Sequence, residues 1–213
     1  LQPDFGTFIV FPWTAFVLLV VGGTKARWLV ALGLLAVLGI VAVLRLGIIE
    51  LEAYQVARLT SFLDPSNADP RGSFYSTQQS LIAVGSGGFA GKGLLEGTQT
   101  NLSYVPENHT DFIFTVIGEE FGFLGGIVVL ALFAVLLWRG LRIAAMAKDL
   151  FGTLIATGAV AIFTIQIFVN IGMTIGVSPV TGIPLPFVSY GGTSLIAGYL
   201  LVGLMLNVHM RRF

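Results

Sequence analysis

The chain has 213 residues, of which 55% are hydrophobic and only 10% charged, and its mean hydropathy is +0.91. A soluble domain carries about 25% charged residues, so the composition excludes an ordinary water-soluble fold and calls for lipid as the solvent. The formal net charge is zero, and the absence of cysteine excludes a disulfide framework, a thiolate metal site and a cysteine nucleophile.

Residues 1–6 carry no basic stretch and no small-residue cleavage site, so they do not read as a signal peptide. The Pro3-Asp4 turn runs straight into an apolar segment, the start expected of a chain with further spans upstream. Five segments are apolar enough to cross a bilayer: about 5–22, 28–46, 121–138, 151–177 and 187–208. Each approaches the roughly 20 residues that a crossing helix needs. Pro12 is expected to kink the first. Thr157, Thr164, Gln166 and Asn170 interrupt the fourth, and such residues usually face a bundle interior. The fold class expected is all-α: a polytopic membrane helical bundle with a long extracytoplasmic loop.

Loop charges orient it. One side holds seven basic residues (Lys25, Arg27, Arg139, Arg142, Lys148, Arg211, Arg212) against Asp149, a net of +6. The other holds four basic residues against ten acidic ones, a net of −6. Basic loops mark the cytoplasmic side. Leu1 and residues 47–120 are therefore expected outside, and Phe213 inside. A structureless loop of about 70 residues would be unusual, and long loops are commonly functional. Ile48, Leu51, Val56, Leu59 and Phe62 give residues 48–63 a helical pattern that Asp64-Pro65 ends, and residues 76–84 suggest a second short helix. Residues 85–93 are glycine-dense, but Gly93 stands where a nucleotide-type phosphate loop needs Ser or Thr. The acidic outer loop gives nucleic-acid binding no support.

Two clusters concentrate the chemistry-bearing residues. In Glu107-Asn108-His109-Thr110-Asp111, Thr110 or Asn108 suits the cap of a helix starting near Asp111, whose charge suits a first turn. Asp111 equally suits a carboxylate at a cavity mouth, where partial desolvation raises its pKa toward general-base use. His109 is a second proton carrier on that reading. Glu119 would lie two turns on, on the same face. The spacing of His109, Asp111 and Glu119 matches no strong metal pattern. In residues 178–194, three prolines and three glycines forbid a continuous helix. The segment reads as a re-entrant packing turn or as a cavity lining whose amides near Gly191 face an anion.

Residues Tyr104-Val105-Pro106-Glu107-Asn108-His109-Thr110-Asp111-Phe112-Ile113-Phe114 and Gly118-Glu119-Glu120-Phe121-Gly122 resemble the signature loop of the SEDS family (shape, elongation, division and sporulation proteins). Leu185-Pro186-Phe187-Val188-Ser189-Tyr190-Gly191-Gly192-Thr193-Ser194 and Leu1-Gln2-Pro3-Asp4-Phe5-Gly6-Thr7 resemble further family motifs, so the likeness runs the length of the chain. The wording at Gly97-Thr98-Gln99 and residues 182–187 resembles the elongation branch, RodA, more than the division branch, FtsW.

The resemblance implies that the chain is the last half of a bacterial inner-membrane peptidoglycan glycosyltransferase polymerising lipid II during elongation. It implies that Asp111 is the essential residue. Around it, His109, Thr110, Glu107, Glu119, Lys92, Arg71, Ser189, Tyr190 and Gly191 are candidates for supporting or substrate-binding roles. Asp111 would take the proton of the acceptor hydroxyl while a polyprenyl diphosphate leaves. The charge that leaves needs Lys92, Arg71, the amides near Gly191, or a divalent cation such as Mg or Mn. The partners implied are polyprenyl-diphosphate-linked glycan, a class B penicillin-binding protein and other elongation-complex membrane proteins. A lipid II flippase, or a scaffold activating the partner, uses the same intramembrane polar residues and broken helices.

Overall fold

The computed structural model describes residues 5–46, 73–102, 104 and 109–211. The helix and turns expected over residues 48–72 lie outside them, as do Arg71, Glu107 and Asn108. Every regular element among the described residues is a helix: α1 (Phe5–Val21), α2 (Ala26–Leu46), α3 (Ser73–Gly87), α4 (Thr98–Asn101), α5 (Ile113–Glu120), α6 (Gly122–Ala145), α7 (Leu150–Thr174) and α8 (Gly192–Met210). The all-α fold follows from uninterrupted backbone pairing within each segment, the arrangement that hydrocarbon demands.

Three of these helices, α6, α7 and α8, are long and apolar enough to cross a membrane. α1 and α2 contribute the shorter apolar stretches Ile9–Val21 and Ala26–Gly39. The 25 residues of α7 extend about 37 Å at 1.5 Å per residue, enough for a hydrocarbon core of about 30 Å. α7 is the central post, packing against α1, α6 and α8 along its length and against α3 and α5 near its C-terminal end. Its start is set by Asp149, whose side chain accepts a hydrogen bond from Gly152 N at 2.8 Å. Its end is set by Gly176 at φ +73, with Val177 N donating back to Gly172 O at 2.7 Å.

Lipid tails are as apolar as leucine, so helices here gain from close packing rather than from escape from water. The core joins Phe114, Phe133, Val160, Phe163, Ile167, Leu185 and Met205. At Gly140 of α6, a Cβ would collide with Val160. At Gly158 of α7, a Cβ would meet Leu18 of α1 at 3.5 Å. Trp13 Nε1 adds a bond to Ala161 O at 3.1 Å, tying α1 to α7 beside Pro12. The outward faces of α6 and α8 show Leu132, Val135, Ile196 and Leu200 exposed, as a lipid-facing surface requires.

The described part of the polar stretch between α2 and α6 is folded. α3 packs on α5 and reaches α7. Ser80 of α3 meets Thr115 of α5 and donates to Thr174 O of α7 at 2.9 Å, with all three side chains buried. α3, α4 and α5 thus form a cap seated on the C-terminal end of α7.

Candidate functional site

The two segments singled out by sequence, about 70 residues apart, meet at this cap. Residues 109–112 form a turn ahead of α5, and residues 177–191 form the irregular link from α7 to α8. Three successive carbonyls of the first segment accept bonds. Tyr190 N donates to His109 O at 2.9 Å, Ser189 Oγ to Thr110 O at 2.6 Å, and Asn170 Nδ2 to Asp111 O at 2.8 Å. The Asn170 amide also donates to Ile183 O at 2.7 Å, and Leu185 N donates to Ser189 Oγ at 2.7 Å. A turn inside an apolar bundle needs such partners for its polar backbone.

The Asp111 side chain is half-buried and lies beside Gly182, where a Cβ would stand 3.4 Å from Asp111 Oδ2. Gly182 has φ +77, which an L side chain resists, so the space next to the carboxylate stays open. Nearby, Phe187 adopts φ +64. Such a conformation costs on the order of 1–3 kcal/mol in a non-glycine residue and persists where packing over-determines it. Here the ring packs at a tilt against Phe163 at 5.5 Å and edge-to-face with Tyr199 at 5.4 Å, and lies over Gly198. Below the link, a cavity of about 330 Å³ opens between α7 and α8. Ile162, Gln166, Pro184, Pro186, Ser194 and Leu201 are among its lining residues. A cavity of about 400 Å³ at Lys148, Asp149 and Arg211 lies at the opposite end of α7, away from Asp111.

The second polar centre is separate in its bonding. Glu119 is fully buried, and Lys92 Nζ lies 2.7 Å from its Oε1. Oε1 also accepts from Gln99 N at 2.9 Å and Thr98 Oγ1 at 3.3 Å, and Oε2 from Thr100 N at 3.0 Å. Burial pushes this carboxyl up, but the Lys92 ammonium and the Gln99 and Thr100 amides outweigh it and hold the pKa at about 2. The glycine-dense loop belongs to this assembly. Lys92 N and Gly93 N donate to Glu119 O and Glu120 O at 3.0 Å each. Gly88 O and Phe89 O accept from Phe123 N and Leu124 N at 3.0 and 3.2 Å, satisfying the start of α6. Close passage requires glycine at Gly91 (φ +82) and Gly122 (φ +64), where a Cβ would strike Glu120 O and Gly91 N respectively.

Several expectations change. Thr110 does not cap a helix at Asp111: α5 starts at Ile113, with Phe112 at its cap position and no side-chain cap. Asp111 is therefore in a turn, and the helical spacing that put Glu119 on its face does not apply. Glu119 instead closes on Lys92, which makes Lys92 a structural partner of the cap rather than an unengaged cation. Ser189 is buried and spends its hydroxyl on the backbone of the two loops. Tyr190 is 79% exposed, so its ring, unlike its N–H, is available at the surface. His109 is exposed next to half-buried Thr110, and Gly191 precedes α8 with no side-chain cap. Asn170 was not among the site candidates. The signal for it was a fully polar amide inside an apolar span. Among the described residues, no three His, Asp or Glu side chains are grouped to hold a metal ion.

Comparison with known proteins places this arrangement in context. The family model for FtsW/RodA/SpoVE cell cycle proteins matches residues 1–212. Stage V sporulation protein E of Bacillus subtilis is 46% identical over 207 residues, covering 97% of this chain and 55% of the relative. Peptidoglycan glycosyltransferase MrdB of Escherichia coli K12 is 43% identical over 211 residues, covering 99% and 56%. A solved chain from work on the structural coordination of polymerization and crosslinking by a peptidoglycan synthase complex superposes with a TM-score of 0.79 at 36% identity. That match covers 100% of this chain and 57% of the other. The chain thus spans about half the length of the curated relatives it matches.

Proposed function

Because the chain belongs to the FtsW/RodA/SpoVE family of multi-pass membrane proteins, we propose that it forms the glycosyl-transfer half of a peptidoglycan glycosyltransferase that polymerises lipid II. The observation that supports this most is the half-buried Asp111 carboxylate. It is held on a backbone fixed by Asn170, Ser189 and Tyr190, with open space at Gly182. A general base must be placed before its pKa matters, and this turn is over-determined by bonds from two other elements.

In the reaction, the acceptor sugar hydroxyl gives its proton to an Asp111 oxygen as its oxygen attacks the donor's anomeric carbon. The bond to the polyprenyl diphosphate breaks, and the diphosphate departs with the electron pair. Lys92 is committed to Glu119, so the amides at the start of α8 near Gly191 are the better candidates among the described residues for meeting that charge. A divalent cation such as Mg or Mn would serve the same end, but no three His, Asp or Glu side chains among the described residues are grouped to hold one. The cavity between α7 and α8 suits a prenyl chain: its walls are largely apolar, and it opens beside the link that carries Ser189. On this reading the cap carrying Asp111 faces the cell exterior, and the polymerase pairs with a class B penicillin-binding protein that crosslinks the strand.

The wording at Gly97-Thr98-Gln99 and residues 182–187 supports the elongation branch. Rescue of rod shape, but not of division, in a strain lacking its own elongation polymerase tests that assignment. For the chemistry, the full-length protein with Asp111→Ala should make no glycan from purified lipid II in detergent while its folding and partner binding persist. Wild-type polymerisation by that variant sinks the assignment. Glycan made in detergent, where no gradient exists, also separates the enzyme from a flippase, and product made without the partner separates it from a scaffold.

A further inference from the structure

We infer that Asn170 is a positioning residue for Asp111, an inference that rests on the general-base reading above. Its side chain is fully buried near the C-terminal end of α7, the most enclosed of the crossing helices. One amide nitrogen serves two acceptors from different segments: Asp111 O at 2.8 Å and Ile183 O at 2.7 Å. Both protons of the NH2 group are thereby used. The first bond fixes the peptide that carries the carboxylate. The second fixes the strained link that carries Gly182 and Phe187. Asn170 is therefore the pin through which a rigid helix sets where both loops, and the carboxylate they carry, stand relative to the bundle.

The geometry distinguishes this from simple packing. An apolar side chain of similar size fills the same volume but gives neither carbonyl a donor, and the buried Ile183 carbonyl is a group that proteins rarely leave unpaired. Ser189 and Tyr190 hold the neighbouring carbonyls, Thr110 O and His109 O, but both belong to the link between α7 and α8 rather than to the post. With Asn170 lost, the two loops stay bonded to each other and drift together against α7. A displacement of about 1 Å costs on the order of 100-fold in rate when it misplaces a catalytic group.

The test uses the full-length enzyme with purified lipid II in detergent and three variants: Asn170→Leu, Asn170→Ala and Asn170→Asp. Asn170→Leu keeps the branching and apolar bulk and removes the donors. It should lower kcat by about 10- to 100-fold with KM for lipid II changed less than threefold and the folded fraction retained. Asn170→Asp, when its buried carboxyl is protonated, restores one donor, so its kcat should exceed that of Asn170→Leu and rise relative to it as the pH is lowered. Asn170→Ala controls for volume and should match Asn170→Leu in kcat. Wild-type kcat in a folded Asn170→Leu protein overturns the inference, as does a loss confined to KM or equal kcat in the Leu and Asp variants. If Asn170→Leu fails to fold, the ratio of kcat between the Asp and Ala variants decides: a ratio of one overturns it. Asp111→Ala is run alongside. An active Asp111→Ala protein rejects the general-base reading itself, whereas an inactive one beside a fully active Asn170→Leu protein rejects only the positioning role.

Discussion

Replacing Glu119 by Gln should release the cap locally without unfolding the bundle. In the wild-type protein two carboxylate oxygens serve four donors: Lys92 Nζ, Gln99 N and Thr98 Oγ1 at Oε1, and Thr100 N at Oε2. Glutamine offers one acceptor oxygen. With that oxygen at the Oε1 position, its NH2 group confronts the Thr100 N–H, donor against donor. A buried donor left unpaired costs about 1–3 kcal/mol, and loss of charge assistance at Lys92 adds about 1 kcal/mol. A local loss of about 3 kcal/mol corresponds to roughly 100-fold faster opening. Hydrogen exchange read by mass spectrometry should therefore show the Gln99 and Thr100 amides exchanging about 100-fold faster, while amides in the middle of α7 are unchanged. Exchange within threefold of wild type would refute the claim that Glu119 holds the cap. The pH dependence follows from the same site. Its folded pKa of about 2 lies below the ordinary 4.5, so the stabilisation is complete above pH 4.5 and is lost as the pH falls toward 2. After correction for intrinsic rates, protection of these two amides should fade over that window in wild type and stay flat in Glu119→Gln.

Three further outcomes test the rest of the site. Ser189→Ala removes an acceptor for Leu185 N and a donor to Thr110 O. At about 1 kcal/mol or more per bond, it should lower the thermal midpoint in detergent and reduce polymerisation, and an unchanged midpoint would show that the link is held elsewhere. Gly91→Ala sets a Cβ against Glu120 O in a left-handed conformation. It should destabilise the protein by at least 1 kcal/mol, visible as a lower midpoint, whereas Gly88→Ala, with open space around it, should cost only the strain of its φ. Gly182→Val places a branched side chain beside the Asp111 carboxylate at φ +77. Glycan synthesis should fall by about 10-fold or more, and full activity would show that substrate does not use this space.

The helical character of the chain was legible in its composition and hydropathy. Apolar runs of crossing length become helices because hydrocarbon offers the backbone no other partner, and the helices α1, α2, α6, α7 and α8 all lie on those runs. Residues 76–84 read as helical, and α3 covers them. The last helix starts at Gly192 rather than near Phe187: residues 186–191 keep an apolar pattern, but Phe187 is left-handed and Ser189 bonds back to Leu185 N. Local pattern could not foresee this, because hydropathy does not encode φ.

The site divides in the same way. Sequence by itself determined which segments carry the chemistry, since Asp111 and the Pro- and Gly-rich link are polar or irregular where the surroundings are apolar. It also determined the family through motifs spread along the chain. Only the tertiary structure decided their surroundings. Asp111 changed from a possible helix cap to a carboxylate in a pinned turn, because α5 begins two residues later. Glu119 and Lys92, candidates for supporting or substrate-binding roles, are found bonded to each other in a clamp on the glycine-dense loop, the buried carboxylate taking four donors. Asn170 changed from an interruption in a span to the link between two loops. Hydrogen bonds between the site's segments reach across 13 to 81 residues, and a partner at that separation is fixed by packing against α7 rather than by spacing along the chain.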